Sequence, residues 1–167
     1  MEYYMENGAG LPDAGDYTDL AASGRRRARE TALLMLYQLD FGENDAQMAA
    51  RTLADIGLDE ENAAFALELV ERSRAYRSQA DVRIAELSRE WDFARLFSID
   101  VAILRLALCE MTGETPANIV INEAVELAKK FGDNSSPAFV NAVLDAVHQN
   151  SGQRPEDRSQ RREELRT

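Results

Sequence analysis

The side chains that most often carry acid–base or nucleophilic chemistry are scarce in this chain. His148 is its single histidine and Cys109 its single cysteine. A lone imidazole without a spaced partner builds neither a metal site nor a proton relay, and His148 falls on the polar face of a helix. Cys109 lies in the most apolar stretch, where a thiol with no adjacent base behaves as a small hydrophobe. Glu60–Glu61 and Glu163–Glu164 are adjacent in sequence, so their carboxylates diverge on a helix instead of sharing a proton. No Cys/His cluster has zinc spacing, and the nine glycines sit in tails and helix ends, not in a phosphate-cradling loop. This inventory predicts no enzyme, no metal site and no cofactor.

The arginines are different. Arg25, Arg26, Arg27 and Arg29 arrive within five positions, after a stretch of 24 residues that holds five acids and no lysine or arginine. Read as the first turn of a helix, that cluster opposes the macrodipole, which favours acids there, so an external anion is expected. Guanidinium pairs bidentately with phosphate and stacks on bases, chemistry suited to RNA. Tyr37 lies on the same flank as Arg26, three turns on, and could offer a stacking surface.

The formal net charge of −11 does not exclude a nucleic-acid partner, because screening over about 8–10 Å makes local charge matter more than the total. A content of 45% hydrophobic and 29% charged residues is ordinary for a globular domain. The longest apolar run, within Val101–Leu108, is broken by Arg105 and falls far short of the ~20 residues of a membrane span. Glu2 and Glu6 replace the basic start of a signal peptide, and a single cysteine suits a reducing compartment, so a cytoplasmic location is expected.

These groups must be positioned by helices, since the periodicity is helical throughout. Residues 1–23 lack periodicity and read as a disordered acidic extension, and 150–167 as a disordered charged tail. Between them, residues 24–149 form the folded part. Ala28, Ala32, Met35, Leu36 and Leu39 share one arc of a first helix ending near Gly42. Asp45 caps a short helix that stops at Gly57, Asp59 caps a third reaching Gln79, and a fourth follows over Asp81–Ser88. Trp91 and Phe93 mark a connector. Val101–Met111 is apolar on all sides apart from Arg105 and Glu110, the mark of a buried central helix. Pro116 opens an amphipathic helix that Gly132 ends, with Lys129 and Lys130 on its polar face. Ser135 or Ser136 with Pro137 opens the last, with Phe139, Val140, Val143, Ala146 and Val147 inward. The expectation is an all-α fold of about seven helices in two packed bundles.

The segments RRRARETALLMLYQLDFG (Arg25–Gly42) and PANIVINEAVELAKKFGDNSSPAFVNAVLD (Pro116–Asp145) closely resemble the NusB family, as does the central Asp100–Leu108 run. The likeness covers about residues 24–148, the middle matching only in helical pattern. It implies two helical bundles and a transcription antitermination factor that binds the single-stranded boxA element of nascent RNA jointly with NusE, a small-subunit ribosomal protein. That pair then joins an antitermination assembly on RNA polymerase. Residue by residue, Arg25, Arg26, Arg27 and Arg29 match the family's arginine-rich RNA-binding start. Tyr37 matches a tyrosine near the RNA and Phe139 a phenylalanine beside it, while Lys130 and the Gly132–Pro137 loop border it. Asp100 stands where the family has an acid facing NusE. Ser135 occupies a position of the same partnership that is aspartate in some members.

Two other readings stay open at the level of residues. The same fold occurs fused to RNA methyltransferases, although this length leaves no room for a cofactor-binding α/β domain. A helical scaffold without RNA affinity, acting as a homodimer through its acidic surfaces, is the other.

Overall fold

The computed structural model describes residues 14–40, 55–87 and 98–151, and among them lie five helices and no strand. They are α1 (Ala14–Asp40), α2 (Glu60–Leu87), α3 (Ser98–Glu110), α4 (Ala117–Phe131) and α5 (Ser136–Ser151). The all-α expectation holds. The expected count of about seven does not, for identifiable reasons. The third and fourth helices are one, because Gln79, Ala80 and Asp81 contain no glycine or proline to break them and Ala80 is buried within α2. Of the short second helix, only a helical turn at residues 55–56 is described, closed by Gly57 in the left-handed region at φ 65°. The Trp91–Phe93 connector lies outside the described residues.

Helix α1 also starts earlier than expected. It runs from Ala14, through part of the stretch expected to be disordered, while residues 1–13 lie outside the described ones. The arginine cluster therefore occupies the interior of a helix and not its first turn, and the dipole argument for an external anion falls away. At the other end α5 continues to Ser151, and the rest of the expected tail is not described.

Local signals set the helix starts. Asp59 caps α2 by accepting the backbone N–H of Asn62 at 2.9 Å, which holds its carboxyl below the usual aspartate range. Pro116 precedes α4 with φ −55° and has no N–H to leave unpaired. Gly132 ends α4, and a side chain there would bring a Cβ within 2.4 Å of the Ser136 side chain, so the tight link into α5 requires glycine.

Helix α3 is the centre. It packs against each of the other four, while α1 pairs with α2 and α4 with α5. Ile103, Leu104 and Leu106 are fully buried on it, joined by Leu33 of α1, Leu69 and Ile84 of α2, Val120 of α4 and Val140 and Leu144 of α5. Truncating one of these leucines to alanine typically costs about 2–5 kcal/mol.

The two charged breaks in this apolar helix are both paired. Arg105 donates from Nε to Asp81 at 2.6 Å and from Nη1 to Asp40 at 3.0 Å, tying α3 to α2 and α1. Glu110 receives Arg29 of α1 through Nε at 3.1 and 3.0 Å and through Nη2 at 2.6 Å. Both partners of this second pair are buried, at 8% and 4% side-chain exposure. Removing one side of such a pair strands a buried charge, whereas replacing both by apolar groups does not. Arg29→Ala is expected to lower unfolding stability by about 3–5 kcal/mol in urea titrations, and Arg29→Met with Glu110→Leu to recover most of it. A single variant as stable as the parent would contradict this role.

Candidate nucleic-acid interface

Two helices, α1 and α4, supply the cations, and α2 supplies an acid that pairs with one of them. Gly24 lets α2 approach α1 closely, since a Cβ there would lie 2.5 Å from the Asn62 amide nitrogen, and the arginines follow directly on that crossing. Arg25 meets Glu61 at 2.6 Å, with its guanidinium 4.4 Å from the Phe65 ring centroid, a cation–π contact. Arg26 reaches the other way, to α4. Its Nε and Nη2 donate to the two carboxylate oxygens of Glu123 at 3.1 and 2.8 Å. Arg27 donates to the carbonyl of Ile56. Lys130 of α4 returns to α1, donating to Glu30 at 2.7 Å.

Consecutive residues of a helix point about 100° apart, so these partly exposed cations are spread around α1: Arg25 on its α2 side, Arg26 on the side cross-laced to α4 with Lys130, and Arg27 by Ile56. The Arg26 side chain is 46% exposed while Glu123 beneath it is only 13% exposed. The hydrogen bonds and charge of Glu123, with Glu126 and Glu30 nearby, raise the Arg26 pKa further, so it stays cationic throughout the working range. On the α1–α4 seam the exposed Arg26 guanidinium and Lys130 ammonium are cations suited to phosphate.

Not every expected residue belongs to it. Arg29, expected to contact RNA, is sealed against Glu110 and holds α1 to α3 instead. Phe139, expected beside the RNA, is buried in the core, where its position in the inward set of α5 places it. Its ring lines a cavity of about 310 Å³ with Leu87, Ser135, Ala142 and Val143. Tyr37 is half-buried against the same core. Arg25, Arg26, Arg27 and Lys130 remain at the surface.

The expected partner-facing pair sits where the first turn of α3, which carries Asp100, meets the start of α5, which Ser135 precedes. Ser135 is exposed, and both its N–H and hydroxyl donate to Asp133 at 2.7 Å. With the Ser136 N–H also donating, these bonds hold the Asp133 carboxyl below its ordinary range. Asp100, expected to face a partner protein, is buried, and its Oδ1 has no hydrogen-bond partner. Burial raises its pKa, against a hydrogen bond from Ser136, and the charge of Asp133 raises it further.

The acids were the residues that periodicity missed. Glu30, Glu61 and Glu123 read as polar-face residues, and nothing in a single sequence matches them to cations on other helices. Glu110 did leave a signal, since a carboxylate on a helix with no polar side needs a counter-ion. Among the described residues, no group of three or more His, Cys, Asp or Glu is arranged to hold a metal ion, and no helix is long and apolar enough to cross a membrane.

Helical packing around one buried helix, with arginines laced across its neighbours, is an all-α architecture shared with one family. The NusB family model matches residues 26–149, and the chain belongs to the NusB family. The transcription antitermination protein NusB of Geobacter sulfurreducens is 38% identical over 131 residues, covering 74% of this chain and 92% of that protein. That of Geotalea uraniireducens is 40% identical over 136 residues, with coverages of 75% and 94%. These relatives are antitermination factors and not enzymes. Among solved structures, T. maritima NusB superposes with a TM-score of 0.65 at 27% identity over 81% of this chain and 96% of that one. A structure of antitermination factors NusB and NusE in complex with dsRNA gives 0.66 at 27% identity, over 77% and 98%.

The Asp100 geometry has a measurable consequence. A carboxyl whose folded pKa lies above its unfolded value of about 3.9 holds an extra proton in the folded state between the two. Stability therefore falls as pH rises through that window, and the penalty is complete above the folded pKa. Asp100→Asn is expected to raise the urea midpoint at pH 7, with the gain shrinking as pH drops below the window. A pH-independent difference would show that burial of the charge is not its source.

Proposed function

We propose that this chain is a cytoplasmic antitermination factor whose Arg25–Arg27 edge binds a single-stranded boxA-type RNA jointly with a NusE-type ribosomal protein. The complex then enters an antitermination assembly on RNA polymerase. The observation that carries this reading is the cluster of surface cations Arg25, Arg26, Arg27 and Lys130. It stays at the surface of a chain with net charge −11 and is framed by α1 and α4. Membership of the NusB family and the likeness to a solved NusB–NusE assembly with RNA support it. In this reading Arg29 is the anchor of the edge and not a contact. Tyr37 supports the surface from its half-buried position, and Phe139 acts from within the core by shaping the start of α5. Ser135, Asp133 and Asp100 mark the protein-partner side.

The test is fluorescence anisotropy with a labelled boxA RNA, with and without the ribosomal partner. Replacing Arg25, Arg26 and Arg27 by alanine is expected to weaken binding at least about tenfold while leaving the helical circular dichroism intact, since charged hydrogen bonds contribute about 1.5–3 kcal/mol each. Parent binding should weaken with salt at a log–log slope of about −0.7 per phosphate neutralised. Unchanged binding by the triple variant would refute the assignment of this edge. Preference for a duplex of the same sequence would refute the single-stranded form of the ligand.

A further inference from the structure

We infer that Glu123 is a positioning residue for RNA: it aims Arg26, although as a carboxylate it should by charge alone repel the ligand. The inference rests on the RNA reading of the α1 edge and goes beyond it. Glu123 grips the Nε–Nη2 edge of Arg26 with both of its oxygens, which fixes the plane of the guanidinium and leaves Nη1 pointing away from the acid. The acid lies below and the cation above, at 13% and 46% exposure, so an approaching phosphate meets guanidinium first.

The acid is itself well mounted. Together with Val120, Ala124 and Leu127 of its own helix, Glu123 lines a small crevice that also receives Arg29 and Glu110. The anchored pair and the aimed pair thus share one seam between α1, α3 and α4. Pulling Arg26 away would leave Glu123 largely shielded and unpaired, a costly state, so the pair is built to survive RNA binding. A free arginine loses up to about 1.5–2 kcal/mol of rotamer freedom when it docks, and an arginine already held loses less. The Lys130–Glu30 contact is a contrast, since a single ammonium contact at 56% and 21% exposure fixes no plane.

The proposal predicts a sign opposite to electrostatics. Glu123→Ala removes a negative charge beside a polyanion, yet is expected to weaken binding of a labelled boxA RNA by about tenfold, the rotamer cost converted to a ratio. Glu126→Gln is the charge control. Glu126 lies near enough to act on Arg26 by charge but makes no hydrogen bond to it, and its loss is expected to tighten binding slightly. In an Arg26→Ala background, Glu123→Ala is expected to cause no further loss, because its effect passes through that guanidinium.

Tighter binding by Glu123→Ala, or an equal loss with and without Arg26, would overturn the positioning role. If Arg26→Ala itself leaves affinity unchanged, it is the RNA reading of this edge that fails. Should Glu123→Ala fold poorly, Glu123→Gln keeps one of the two bonds and is expected to show an intermediate loss, and tightening there would overturn the role equally.

Discussion

Glu110 occupies a helix that is buried on every side, and that position is tenable because Arg29 reaches it with three hydrogen bonds. An isolated carboxylate there would cost several kcal/mol, and an isolated guanidinium in its place no less. The pair therefore fixes the rotation of α1 about its own axis. With Arg29 turned inward, Arg25 one turn earlier lies over the same Phe65 ring and reaches α2, while Arg26 leaves towards α4 and Arg27 towards the Ile56 carbonyl. What surfaces along the edge of α1 is decided by what that helix buries.

The same constraint explains how an acidic protein can carry a cationic edge. Most of the cations in it have a carboxylate neighbour supplied by another helix, so the edge is locally near neutral at long range and cationic only at contact distance. The interior pairing also relates the two halves of the fold. Arg29 and Arg105 tie α3 to α1 and α2, while Arg26 and Lys130 tie α1 to α4, whose packing on α5 builds the other half.

Much of this was legible before any coordinates. The burial of Val101–Leu108, the breaks at Pro116 and Gly132, and the inward face of α5 follow from periodicity and helix-end chemistry, which act over a few residues. The joined α2 was not legible, because a helix without breakers differs from two helices in tandem only by its packing. The start of α1 at Ala14 was not legible because the short Ala14, Tyr17 and Ala21 spacing is diluted by Gly15, Asp16, Asp19 and Gly24, residues that favour turns and caps. Within the site, residue type located the arginines but could not rank them. Four guanidinium groups look alike in sequence, and only the position of Glu110 one helix away separates Arg29 from the rest. Phe139 is the opposite case. Its inward place follows from periodicity, and it is buried there.

The central claim is a division of labour among neighbouring arginines, and side-chain NMR reads it directly. With arginine Nε labelled and RNA titrated in, the Arg26 and Arg27 signals are expected to shift, while that of Arg29 stays sharp, slow to exchange with solvent and unmoved. An Arg29 signal that follows the RNA, with Arg26 and Arg27 indifferent to it, would contradict the account.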